Sequence, residues 1–172
     1  MKYQFPDDFW WGSATSATQS EGASLRDGKS KNIFDYWYEI APERFHGQIG
    51  PENTSTFYDN YQQDILLLKK LGHNTFRTSI SWSRLMPNGE GELNPKAVTF
   101  YNAVIDSLLA NGITPFINLY HFDMPLCMQE QGGWESRTVV DAYARYAKNC
   151  FMLFGDRVKH WFTFNEPIVS VE

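Results

Sequence analysis

Leu71-Gly72-His73-Asn74-Thr75-Phe76-Arg77-Thr78-Ser79-Ile80-Ser81-Trp82-Ser83-Arg84 passes from a helix end through a strand to a polar tip. Upstream, Phe57, Tyr61, Ile65, Leu68 and Leu71 share one face at the 3.6-residue period. Gly72 closes that helix, because glycine takes the left-handed conformation without a steric penalty. Thr75 to Ile80 then reads as a short strand.

The unit recurs. Asn94 as N-cap and Pro95 at the first helical position open a second helix, with Val98, Tyr101, Ile105 and Leu108 on its face and Gly112 at its end. Pro115-Phe116-Ile117-Asn118-Leu119-Tyr120 follows as a strand, with Pro115 expected at its first residue. A third helix begins near Ser136, carries Val139, Tyr143, Tyr146 and Cys150, stops at Gly155 and leads to a strand from His160 to Phe164. Phe9 to Thr15 supplies a strand ahead of the first helix. The closing glycines lie 40 and then 43 residues apart, which suits βα units with variable loops better than a solenoid.

Each later strand runs into a polar cluster and then a proline: Ser81 to Arg84 before Pro87, His121-Phe122-Asp123 before Pro125, and Asn165-Glu166 before Pro167. Reactive groups at the C-terminal ends of strands that alternate with helices describe a parallel α/β protein with its site on that rim. A doubly wound nucleotide-binding sheet would show a glycine-rich turn after its first strand. Ser16-Ala17-Thr18-Gln19-Ser20-Glu21-Gly22 has one glycine, so a barrel is the better reading.

Composition narrows the partners. Hydrophobic residues at 42% and charged residues at 20% fit a globular chain. A net charge of −5 gives no reason to expect nucleic acid or an anionic membrane. Cys127 and Cys150 lack metal-type spacing and do not form a disulfide framework. Without a cationic leader or a membrane-length apolar stretch, a cytoplasmic location is expected. The aromatic share of 16% suits a deep core or a carbohydrate-stacking cleft.

Thr163-Phe164-Asn165-Glu166-Pro167 puts an amide and a carboxylate at a strand tip, since Pro167 cannot continue a ladder. That is a suitable place for a general acid. Hydrolysis of a glycosidic bond also needs a second carboxylate, roughly 5–5.5 Å away in a retaining enzyme. No convincing one is present, so the sequence reads as half of a site.

Four motifs in order resemble glycoside hydrolase family 1. They are Phe5-Pro6 with Phe9 to Thr15, Gln19 and Glu21-Gly22; then Phe76 to Arg84; then Tyr120-His121-Phe122-Asp123-Met124-Pro125; then Asn165-Glu166-Pro167. The resemblance implies a (β/α)8 barrel, of which residues 1–172 would be the N-terminal half with about four βα units. It implies retaining hydrolysis of β-glycosides, with no cofactor and no metal. Glu166 would be the acid/base, with its pKa raised by desolvation or a nearby negative charge. Asn165 would bind the sugar 2-hydroxyl. Gln19 and His121 would bind other glycone hydroxyls, and Arg77 would keep the nucleophilic carboxylate ionised. Glu21 and Asp123 look structural, and His46, His73 and His160 are assigned no chemistry.

Phe122, Gly132-Gly133-Trp134 and Ser136-Arg137 look more like the bacterial 6-phospho-β-glucosidases, whose substrates include cellobiose phosphate. An unphosphorylated β-glucosidase and a non-catalytic sugar-binding half barrel are the alternatives. Lys29 and Lys31 have no evident tie to a sugar phosphate. A half barrel is expected to be a fragment, inactive alone, and to self-associate through its exposed edges.

Overall fold

The computed structural model describes residues 2–170. In chain order the elements are β1 (Gly12–Ala14), α1 (Ala17–Ser20), α2 (Ile33–Ile40), α3 (Phe57–Lys70), β2 (Thr75–Ser79), α4 (Trp82–Leu85), α5 (Pro95–Ala110), β3 (Thr114–Tyr120), α6 (Leu126–Gln129), α7 (Arg137–Phe154) and β4 (His160–Phe164). The four strands pair in parallel in the order β1-β2-β3-β4, so each strand lies beside its predecessor. One face of the sheet is covered by the long helices. Phe76, Ile117 and Leu119 pack there with Ile65 of α3, Ile105 and Leu108 of α5, and Tyr146 and Cys150 of α7. Fully burying such side chains stabilises by about 1.5–3 kcal/mol each, so packing rather than propensity holds these helices.

The three anticipated helices are present, and their boundaries follow local chemistry. Asn94 caps α5 by accepting the Lys96 N–H, with Pro95 inside the first turn. Gly72 and Gly112 are left-handed, at φ +81 and +73. Gly155 is not: at φ −69 it stays right-handed, because the chain makes a further turn in which the Val158 N–H bonds the Phe154 carbonyl. Leu71, placed on the apolar face from its spacing, is 73% exposed beyond the helix end.

Two strand expectations need correction. The first strand is Gly12–Ala14 rather than Phe9 to Thr15. Phe9 and Trp11 instead gather with Phe5, at ring separations of 4.6–4.8 Å. Pro115 is the second residue of β3, not the first. Alternate amides of a strand face alternate neighbours, and the Thr114 N–H bonds Asn74 on the β2 side. The missing Pro115 amide would therefore face β4, whose pairing with β3 begins only at Phe116↔His160. Helix α2 lies outside the sequence expectations, although Asn32 and Asp35 form a reciprocal capping box at its start.

Candidate active site

The C-terminal strand ends open on a cavity of about 740 Å³ lined by Gln19, Arg77, His121, Phe122, Asn165 and Glu166, among others. Every anticipated site residue lies on its wall. Arg77 points inward from β2, half-buried, with its guanidinium 5.2 Å over the Phe162 ring. Its Nη2 donates to Asn165 Oδ1 at 2.9 Å, and the Asn165 N–H donates to the Tyr120 carbonyl at 3.0 Å. These two bonds fix the amide between β2 and β3. Gln19 stands on α1, whose N-cap Ser16 donates its hydroxyl to Gln19 Oε1 at 3.0 Å. The Ala17 N–H in turn bonds Ser79 Oγ at 2.7 Å, tying this turn to β2.

Glu166 is exposed, and its backbone is left-handed at φ +42. Phe122 is also left-handed, at φ +61. Such conformations are uncommon for residues other than glycine and cost of order 1–3 kcal/mol. Both positions face the cavity. Among the described residues lining it, Glu166 is the one carboxylate.

His121 and Asp123 sit at the end of β3. Asp123 is fully buried and accepts two backbone N–H groups, from His121 at 3.1 Å and from Trp82 at 2.8 Å. One carboxylate thus joins the loops that follow β2 and β3. Burial pushes its pKa up to about 6, against the pull of those two donors. Burial, together with the Arg77 charge, pulls His121 down to about 4, so its ring is neutral at ordinary pH.

Behind the cavity lies a sealed cluster that links motifs far apart in the chain. Arg84 Nε donates to Glu21 Oε2 at 2.8 Å, and its Nη2 donates to the carbonyls of Gly22 and Ala23. Tyr101 donates to Glu21 Oε1 at 2.8 Å and accepts the Ser81 N–H. Lys29 pairs with Asp35 at 2.5 Å, also buried, and burial lowers its pKa despite that partner. Lys31 pairs with Glu39 on the surface. Both lysines are thus engaged with carboxylates, and neither lines the cavity. Glu21 and Arg84 belong to separate motifs of the sequence, and nothing in their spacing joins them.

The family model for glycosyl hydrolase family 1 matches residues 1–172. The chain belongs to this family. It is 66% identical to the 6-phospho-beta-glucosidase GmuD of Bacillus subtilis over 99% of its own length and 37% of that relative's. Among solved structures, aphid myrosinase aligns with a TM-score of 0.94 at 39% identity, covering 97% of this chain and 36% of that one. The beta-glucosidase of Thermotoga maritima, in complex with a substituted glucoimidazole, aligns at 0.92 and 42% identity, covering 96% and 38%. The family 1 chain therefore spans a little over a third of these relatives. Its four-stranded parallel sheet is the corresponding part of their (β/α)8 barrel. No helix among the described residues is long and apolar enough to cross a membrane.

Proposed function

We propose that residues 1–172 are the N-terminal half of a single (β/α)8 barrel and carry the acid/base side of a retaining glycosidase acting on 6-phospho-β-glucosides such as cellobiose phosphate. The convergence of Gln19, Arg77, His121, Asn165 and Glu166 on one cavity is the observation that carries this reading. Glu166 at the exposed tip of β4 can reach a leaving oxygen. Asn165, oriented by Arg77, presents its amide to a sugar hydroxyl. The Arg77 guanidinium has no carboxylate partner among the described residues, which suits a site where the nucleophilic carboxylate comes from the other half of the same barrel. The phosphorylated substrate is favoured by the 66% identity to a 6-phospho-beta-glucosidase.

The test is hydrolysis of a chromogenic β-glucoside and its 6-phosphate by the chain alone and joined to the remaining two-thirds of its Bacillus relative. No turnover is expected from the chain alone. The joined protein should cleave the 6-phosphate and lose about 10²–10⁴-fold in rate with Glu166→Gln. Turnover unaffected by that substitution would refute the acid/base role. Joining the chain to the Thermotoga counterpart should shift preference to the plain glucoside; an unchanged preference would place phosphate recognition within residues 1–172.

The strand edges lead to a second expectation, that the purified chain is a dimer or larger. β1 is exposed along its length, and Phe162 of β4 is 42% exposed. A compact, monodisperse monomer in light scattering would refute it.

A further inference from the structure

An imidazole ring has two nitrogens, and which one holds the proton decides whether a hydroxyl meeting it must accept or donate. At His121 one of them is already committed. Nδ1 lies 3.3 Å from Asn118 Nδ2. Asn118 is fully buried on β3, two residues beyond Phe116, the register partner of Arg77, and so on the same inward side of the sheet. Its Nδ2 also donates to the Tyr120 carbonyl at 3.0 Å.

The carbonyl settles the orientation of the amide. A backbone carbonyl only accepts, so the NH₂ end of Asn118 must face it. Turning the amide over would bring Oδ1 against the Tyr120 oxygen, two buried acceptors in contact. With one hydrogen on Tyr120, the other hydrogen of the same NH₂ group is directed at His121 Nδ1. That nitrogen then has to be an acceptor.

We propose that Asn118 is a positioning residue that holds the His121 proton on Nε2, so that the ring offers the cavity a hydrogen-bond donor. This rests on the glycone-binding role of His121 proposed above. A sugar hydroxyl that meets the ring is then the acceptor, and its own proton points elsewhere. The neutrality of the ring fits this arrangement, since a second proton on Nδ1 would oppose the Asn118 NH₂ group.

The chain has four histidines, so the ¹⁵N signals of the His121 ring can be assigned by their loss in His121→Gln. Near neutral pH we expect a protonated Nε2 and a bare Nδ1. A proton on Nδ1, or an even mixture, overturns the proposal. Asn118→Asp, nearly isosteric, replaces the donor with an acceptor and should move the proton to Nδ1; an unchanged tautomer also overturns it. If that variant fails to fold, the measurement on the unaltered chain still decides. Glucose titration separates this inference from the one it rests on. The expected tautomer with no glucose response sustains the role of Asn118 and counts against the sugar-binding role of His121.

Discussion

Two arginines sit near the same rim and live in opposite settings. Arg84 is 1% exposed, bonded to Glu21 and two carbonyls, and stacked 4.3 Å over Tyr58. Arg77 is half-buried, with one amide partner and no carboxylate among the described residues. The first is matched within the chain, and it ties the loop after β1 to the loop after β2. The second leaves positive charge facing a cavity. Residue type alone does not separate a scaffold from a site; whether the charge has been met does.

The largest test of this contrast is Arg84→Ala. Removing one partner of a buried pair leaves Glu21 uncompensated and should cost about 3–5 kcal/mol, read as a fall in the urea midpoint. A loss under about 1 kcal/mol would place the cluster on the same footing as the cavity. Lys29→Met should be nearly as severe, because Asp35 would lose its counter-charge. Lys29→Met combined with Asp35→Leu should recover most of that loss, since apolar replacement of a buried pair is often neutral or better. No recovery would show that Asp35 matters chiefly through its cap on α2.

A pH series sharpens the contrast further. His121 is held at about 4 in the fold against the 6.5 of a free imidazole, so the unfolded chain binds the extra proton in that window. Stability from this group therefore rises with pH and is lost as pH falls. Asp123 is held at about 6 against 3.8, so there the folded chain binds the extra proton and stability falls as pH rises. The two trends oppose between about pH 4 and 6. His121→Gln should uncover the falling trend, and urea midpoints that still rise across this window would contradict it. The smallest effect belongs to the open cavity. Glu166→Gln should change stability by less than about 0.5 kcal/mol.

The sequence disclosed the periodic and the local. The 3.6-residue stripes of α3, α5 and α7, the Asn94 cap and the motif residues at strand ends were legible, because each is written within a few positions. The link between Glu21 and Arg84 was not, since 63 residues separate them and no period connects the two. Nor were the left-handed backbones at Phe122 and Glu166 foreseeable, as neither residue type favours that conformation. Asn118 passed unnoticed because a lone asparagine within a strand signals nothing until its amide meets Tyr120 and His121. The capping box of α2 is different: Asn32 and Asp35 stand at the required spacing, and that signal was open to reading.

The strand order β1-β2-β3-β4 has a consequence for how the molecule is made. Each ladder joins residues between 39 and 63 positions apart, so every pairing must close a long loop before it gains anything. Yet no strand waits for one that lies later in the chain to occupy a place between it and its predecessor. A ribosome releasing this sequence from its N-terminus could lay each strand on the edge left by the last, with the intervening helix already available to cover it. Assembly in the order of synthesis is thus built into the topology, and at every stage the newest strand is the growing edge.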